Sequence, residues 1–147
     1  MKIKAMMVEL IALEQQVSAA AALDDPANEM RVYEWRPPGL PELPAIWNWI
    51  DDGTYELVDT ARGDDTLVIA STIGVKPSAI DESMGQLVTL VDIFRETVDP
   101  ALSQRPVLGG TVRQAKRVVT RSSIDDFDGV PVMCMDMLVK VELSKFL

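Results

Sequence analysis

The chain opens on a helical pattern. Ile3, Met7, Leu10, Leu13 and Val17 recur at three- and four-residue steps, and Met6 and Ile11 widen the stripe. An alanine run after Ser18 continues it with the strongest helix former available. The pattern predicts a helix over 3–23, stopped by Asp24-Asp25-Pro26. Arg31 to Trp35 alternates like a strand. Prolines at 37, 38, 41 and 44 then exclude both helix and central strand, and predict an extended, polyproline-like run. Ala45 to Ile50 reads as a strand, Asp51-Asp52-Gly53 as a turn, and Tyr55 to Asp59 as the returning strand. After Arg62-Gly63-Asp64-Asp65, the β-branched stretch Thr66 to Val75 forms the next strand. Together these strands predict an antiparallel meander.

Lys76-Pro77-Ser78 breaks that pattern. A second helix starts near Asp81, which caps it, with Glu82 in the first turn. Met84, Leu87, Val88, Val91, Phe94 and Val98 make its apolar stripe, and Asp99-Pro100 is expected to end or distort it. A loop with Pro106, Gly109 and Gly110 leads to a strand over Val112–Ser122, a turn at Asp125–Gly129 and a last strand over Val130–Leu143. Helix, strands, helix, strands in one domain, 1–147, predicts an α+β fold. Its mostly antiparallel sheet has two amphipathic helices packed on one face. The other face has to meet water or another subunit.

Composition narrows the functions. A length of 147 residues suits one domain with a real core. The net charge of -9, from 14 basic and 23 acidic residues, repels phosphate backbones. Histidine is absent, which removes the usual acid/base group near neutral pH. With Cys134 the single cysteine, neither an intrachain disulfide nor a one-chain thiolate zinc site can form. Lys2 and Lys4 before an apolar stretch imitate a signal peptide. Glu9, Glu14, Gln15 and Gln16 interrupt the stretch, so it reads as a structural helix. No uncharged apolar run approaches the roughly 20 residues that span a bilayer, so a soluble chain without a membrane partner is expected.

Candidate chemistry is sparse. Acidic pairs at Asp24/Asp25, Asp51/Asp52, Asp64/Asp65 and Asp125/Asp126 fall at predicted turns or helix ends, where aspartate caps and stays solvated. The Asp125–Gly129 cluster lacks the ligand spacing of a calcium loop. There is no G-x-S-x-G, Cys134 has no histidine to activate it, and Gly109-Gly110 lacks the lysine and hydroxyl of a phosphate loop. No catalytic, cofactor-binding or metal residue is assigned, and no cofactor is expected. A small enzyme using carboxylates alone is the alternative of another class, and a monomeric binding module is a third.

Two features point to protein contacts. The proline segment carries all 3 tryptophans at or beside it, and offers Trp35, Pro38, Leu40, Leu43 and Trp47 as anchors. The plain alternative is a rigid crossover whose aromatics plug one end of the core. The second feature is a basic stretch, Arg105, Arg113, Lys116, Arg117 and Arg121, with no acid between Asp99 and Asp125. It is either a solvated strand face or a complement to an acidic face of the next subunit or to passing nucleic acid.

The order of elements then resembles a known family. A helix leads to Tyr33-Glu34-Trp35, and Pro38-Gly39-Leu40-Pro41-Glu42-Leu43-Pro44-Ala45 runs into a strand. A helix with Leu87, Leu90, Val91 and Phe94 follows, then Val98-Asp99-Pro100-Ala101-Leu102 and a final long hairpin. This resembles the tail terminator proteins of long-tailed bacteriophages, especially those of actinobacterial phages. The resemblance implies a homo-oligomeric ring, expected to be a hexamer, on the major tail tube protein. Such a ring ends tube growth and offers its upper face to a head-completion or stopper protein, with genomic DNA passing through its lumen. It implies a place at the tail–neck junction of the virion, after assembly in the host cytoplasm, and no catalytic residues. The nearby alternative is a head-completion adaptor or stopper, or a tail-completion protein.

Overall fold

Residues 64–75 form the strand on which the sheet is built. The computed structural model describes residues 2–51, 56–59, 64–78, 80–105, 107–112 and 114–144. Its elements are α1 (Lys2–Asp24), a 3-10 turn (Pro26–Asn28), β1 (Arg31–Val32), β2 (Ala45–Ile50), β3 (Glu56–Asp59), β4 (Asp64–Val75), α2 (Ile80–Gln104), β5 (Gln114–Phe127) and β6 (Val130–Ser144). The sheet has 6 strands in the order β1-β2-β4-β6-β5, with β3 also on β4. Only the pairing of β1 with β2 is parallel; the others are antiparallel. The fold is therefore α+β with a mostly antiparallel sheet.

Both helices lie on one face. Leu67, Ile69 and Ile73 of β4 and Met137, Val139 and Val141 of β6 meet Met6, Leu10 and Val17 of α1 and Leu87, Leu90 and Phe94 of α2. Each such fully buried side chain stabilises the fold by about 1.5–3 kcal/mol. By length and composition alone α1 could cross a membrane. Its apolar positions Met6, Met7, Leu10, Val17 and Ala21 are spent on this core.

The helix-free face holds a second core. Trp47, Leu43, Phe127, Val132 and Cys134 cluster at one end of it. Val68, Ala70 and Leu138 form a smaller cluster that Trp49 covers. So this face is partly closed by the chain itself, which the helix-on-one-face pattern did not predict.

Several expectations need correction. β3 does not pair with β2; β4 is long enough to pair with both, so there is no simple meander. The predicted strand at 31–35 shrinks to two residues, although Tyr33 and Arg36 still donate backbone bonds to Ile46 and Asn48. Pro100 does not end α2, which runs on to Gln104. Pro100 is exposed, so water can satisfy the carbonyl its missing N–H abandons, and buried Leu102 anchors the last turn. The hairpin turn at 125–129 is tighter than expected. Asp125 and Asp126 remain in β5, and Asp128 and Gly129 turn the chain with φ of 53° and 85°. Asp64 and Asp65 likewise start β4 rather than cap a turn. The predicted turn residues Asp52, Gly53, Arg62, Gly63 and Pro106, and Tyr55, lie outside the described residues.

The second core depends on one glycine. A methyl group at Gly74 would collide with the ring of Trp47 and press on Val132. Trp47 is fully buried and cannot swing away. Gly74→Ala is expected to cost about 1–3 kcal/mol by overpacking, read as a lower urea midpoint with unchanged slope. A wild-type midpoint would contradict this packing.

Candidate functional site

The proline segment splits into two groups. Leu43 and Trp47 are buried, whereas Trp35, Pro38 and Leu40 are exposed. Trp47 meets Phe127 edge to face, with centroids 5.3 Å apart and planes at 83°. Arg36 lies 4.1 Å above the Phe127 ring. Its Nε and Nη2 donate to Asp125 at 2.9 and 3.0 Å, and Nη2 also donates to the Asp126 carbonyl at 3.0 Å. The pair with Asp125 raises the Arg36 pKa above its ordinary value. Leu43 and Trp47 thus plug the core, while Arg36 clamps the extended run to the hairpin end.

The basic stretch is divided by a bulge. Strict alternation would put Arg117, Val119 and Arg121 on one face of β5. The register shifts between Arg117 and Val119, so Val118 is the extra residue. Arg117 consequently stands opposite Val139 of the helix-side core, and Val119 opposite Leu138 of the other face. Arg117 Nε donates to Asp99 of α2 at 2.7 Å. Arg121 takes the opposite face, donating to Asp136 at 3.2 Å and to Asp51 at 2.8 Å. Asp51 first, then Asp136, raises its pKa. Lys116 and Arg105 are exposed, and Arg113 lies outside the described residues. Lys116 makes no ion pair among the described residues. The stretch is therefore not one patch of free charge.

Two buried polar groups escaped the sequence reading. Asp136, almost fully buried, accepts from Thr72 at 2.8 Å, Ser123 at 3.2 Å and Arg121. Trp49 Nε1 donates to the same Thr72 hydroxyl at 3.0 Å. On the other face Glu14, fully buried on α1, accepts from Asn48 at 2.7 Å. Asn48 also donates to the Tyr33 carbonyl at 3.2 Å and accepts from Ser71 at 2.9 Å. Glu14 Oε2 has no hydrogen-bond partner among the described residues. Period alone offered a hint, since Glu14 follows Leu10 by one helical step on the apolar stripe.

Burial pushes the Cys134 thiol up to about 12, so no thiolate nucleophile forms there near neutral pH. Among the described residues, no group of three or more acidic or sulfur side chains could hold a metal ion. Compared with models of known families and with curated proteins, the chain matches none.

Surface features remain as candidates. Strand β5 is an outer strand of the sheet, 14 residues long, with Val118, Val119 and Ile124 exposed by 41%, 50% and 74%. At the opposite end of the sheet, beside β1, lies a groove of about 690 Å³. Ala19, Ala22 and Val32 line it together with the polar side chains of Gln15, Glu29, Arg31 and Glu42.

Glu14 makes stability depend on pH. Burial raises its pKa from 4.5 to about 7, against the lowering effect of the Asn48 hydrogen bond. A carboxyl raised in the folded state stabilises fully below its unfolded pKa and loses that contribution as pH rises through the folded one. The loss falls between pH 4.5 and about pH 7 and is on the order of 3 kcal/mol. Glu14→Gln is expected to remove this slope and to be more stable than wild type at pH 8, by urea unfolding at several pH values. Parallel pH profiles for the two proteins would refute it.

Proposed function

We propose that this protein is a structural subunit that caps the tail tube of a long-tailed bacteriophage. As a ring of copies, it ends tube growth and presents its far side to the head-completion protein. The observation that carries the reading is the long outer strand β5 with its exposed Val118, Val119 and Ile124. An exposed apolar edge strand is a template for another chain. The element order supports the reading, as does the commitment of Asp136, Arg117 and Arg121 to partners within the fold. A terminator has to dock on the tube by one surface and deny the next tube ring a template on the other.

The test is particle morphology. Phage assembled without the protein should carry tails of irregular, excessive length by electron microscopy. Tails of normal length on heads that leak DNA would overturn termination and indicate a stopper instead.

A further inference from the structure

We infer that copies of this chain join head to tail, the first half of β5 on one copy entering the groove beside β1 on the next. This rests on the proposed ring. Two features of the margin formed by β5 and β6 ask for an outside partner. Lys116 and Lys140 stand directly opposite each other, and like charges so placed repel. Neither makes an ion pair among the described residues; Glu142, two residues on from Lys140, makes none either. Beside them Val118 and Val119 are exposed, the bulge having left Val118 outside the ladder.

The groove supplies the complement. Its lining mixes small apolar residues with polar ones, and its rim is acidic. Glu29 and Glu42 line it, and Asp24 and Asp25 precede the lining residue Pro26 in the chain. Arg31 is the one base among the lining residues and is already paired with Glu42 at 3.1 Å. An acidic groove fits a sheet margin on which Lys116 of β5 and Lys140 of β6 stand beside two exposed valines. A second copy is the occupant that this complementarity favours, because one chain holds both halves.

The geometry sets the symmetry. β5 and β1 are opposite ends of the sheet order, so the same two surfaces cannot meet about a two-fold axis. The contact is heterologous and either closes into a ring or runs on as a filament. Strand β5 brings unpaired backbone groups along its outer side, and its charges and bulge block wrong edge pairing.

Charge reversal tests this without requiring a known neighbour. One variant carries Lys116→Glu with Lys140→Glu; the other carries Glu29→Lys with Glu42→Lys. In sedimentation velocity, wild type should assemble, and each variant alone should assemble at least about tenfold more weakly. An equimolar mixture of the two variants should assemble again, because each then offers the edge that fits the other's groove. Damage to folding cannot produce that rescue. Wild-type assembly in both variants, a mixture that stays dissociated, or a wild-type monomer at all concentrations would overturn the contact. Overlong tails without the protein, together with assembly that ignores the reversals, would overturn the contact and leave tail termination standing.

Discussion

The described part of strand β4 from Thr66 to Val75 is buried at every residue, and the rest of the molecule follows from that constraint. A strand exposes alternate residues to opposite faces, so both faces around it need cover. Two helices cover one. The other has no third helix to use. The chain covers it with Trp47 laid on Gly74, Phe127 against Trp47, and the proline run held down by Arg36. The small residues Ala70 and Gly74 leave room for these large rings.

Covering both faces of the sheet leaves its margins and the outer faces of the helices open to other chains. The centre of the helix-free face is sealed by Trp49, Thr72, Asp136 and Arg121, which are bound to one another. Breaking that layer would leave a buried carboxylate without its cation. The outer strand β5 and the groove beside β1 are instead open, and they differ in charge and relief. The proposed head-to-tail contact between copies needs such unlike surfaces on one body. Glu14 adds a different sensitivity. It joins α1 to β2 through a single hydrogen-bonded acid that is tuned near neutrality.

Much of this was legible in the sequence. Both helices, the four longer strands and the α+β class follow from hydrophobic period. Pairing was harder, because Asp51-Asp52-Gly53 signals a hairpin yet β4 takes the place beside β2. Local propensity cannot choose between two strands competing for one edge. The proline run gave its extended path, but not that Leu43 and Trp47 point inward while Trp35 and Leu40 point out. The basic stretch misled most. A single bulge at Val118 sends Arg117 to Asp99 and Arg121 to Asp136, and no residue pattern announces an extra residue in a ladder. Glu14 interrupts the apolar run of the first helix, yet its position on the apolar stripe points inward.

If assembly runs through the sheet margin, backbone exchange will report it residue by residue. Amide hydrogen exchange on the dissociated and the assembled protein should show new protection along the first half of β5 and beside Met30–Val32, while β4 stays equally slow in both states. New protection confined to the outer faces of α1 and α2, with β5 exchanging freely throughout, would contradict the account.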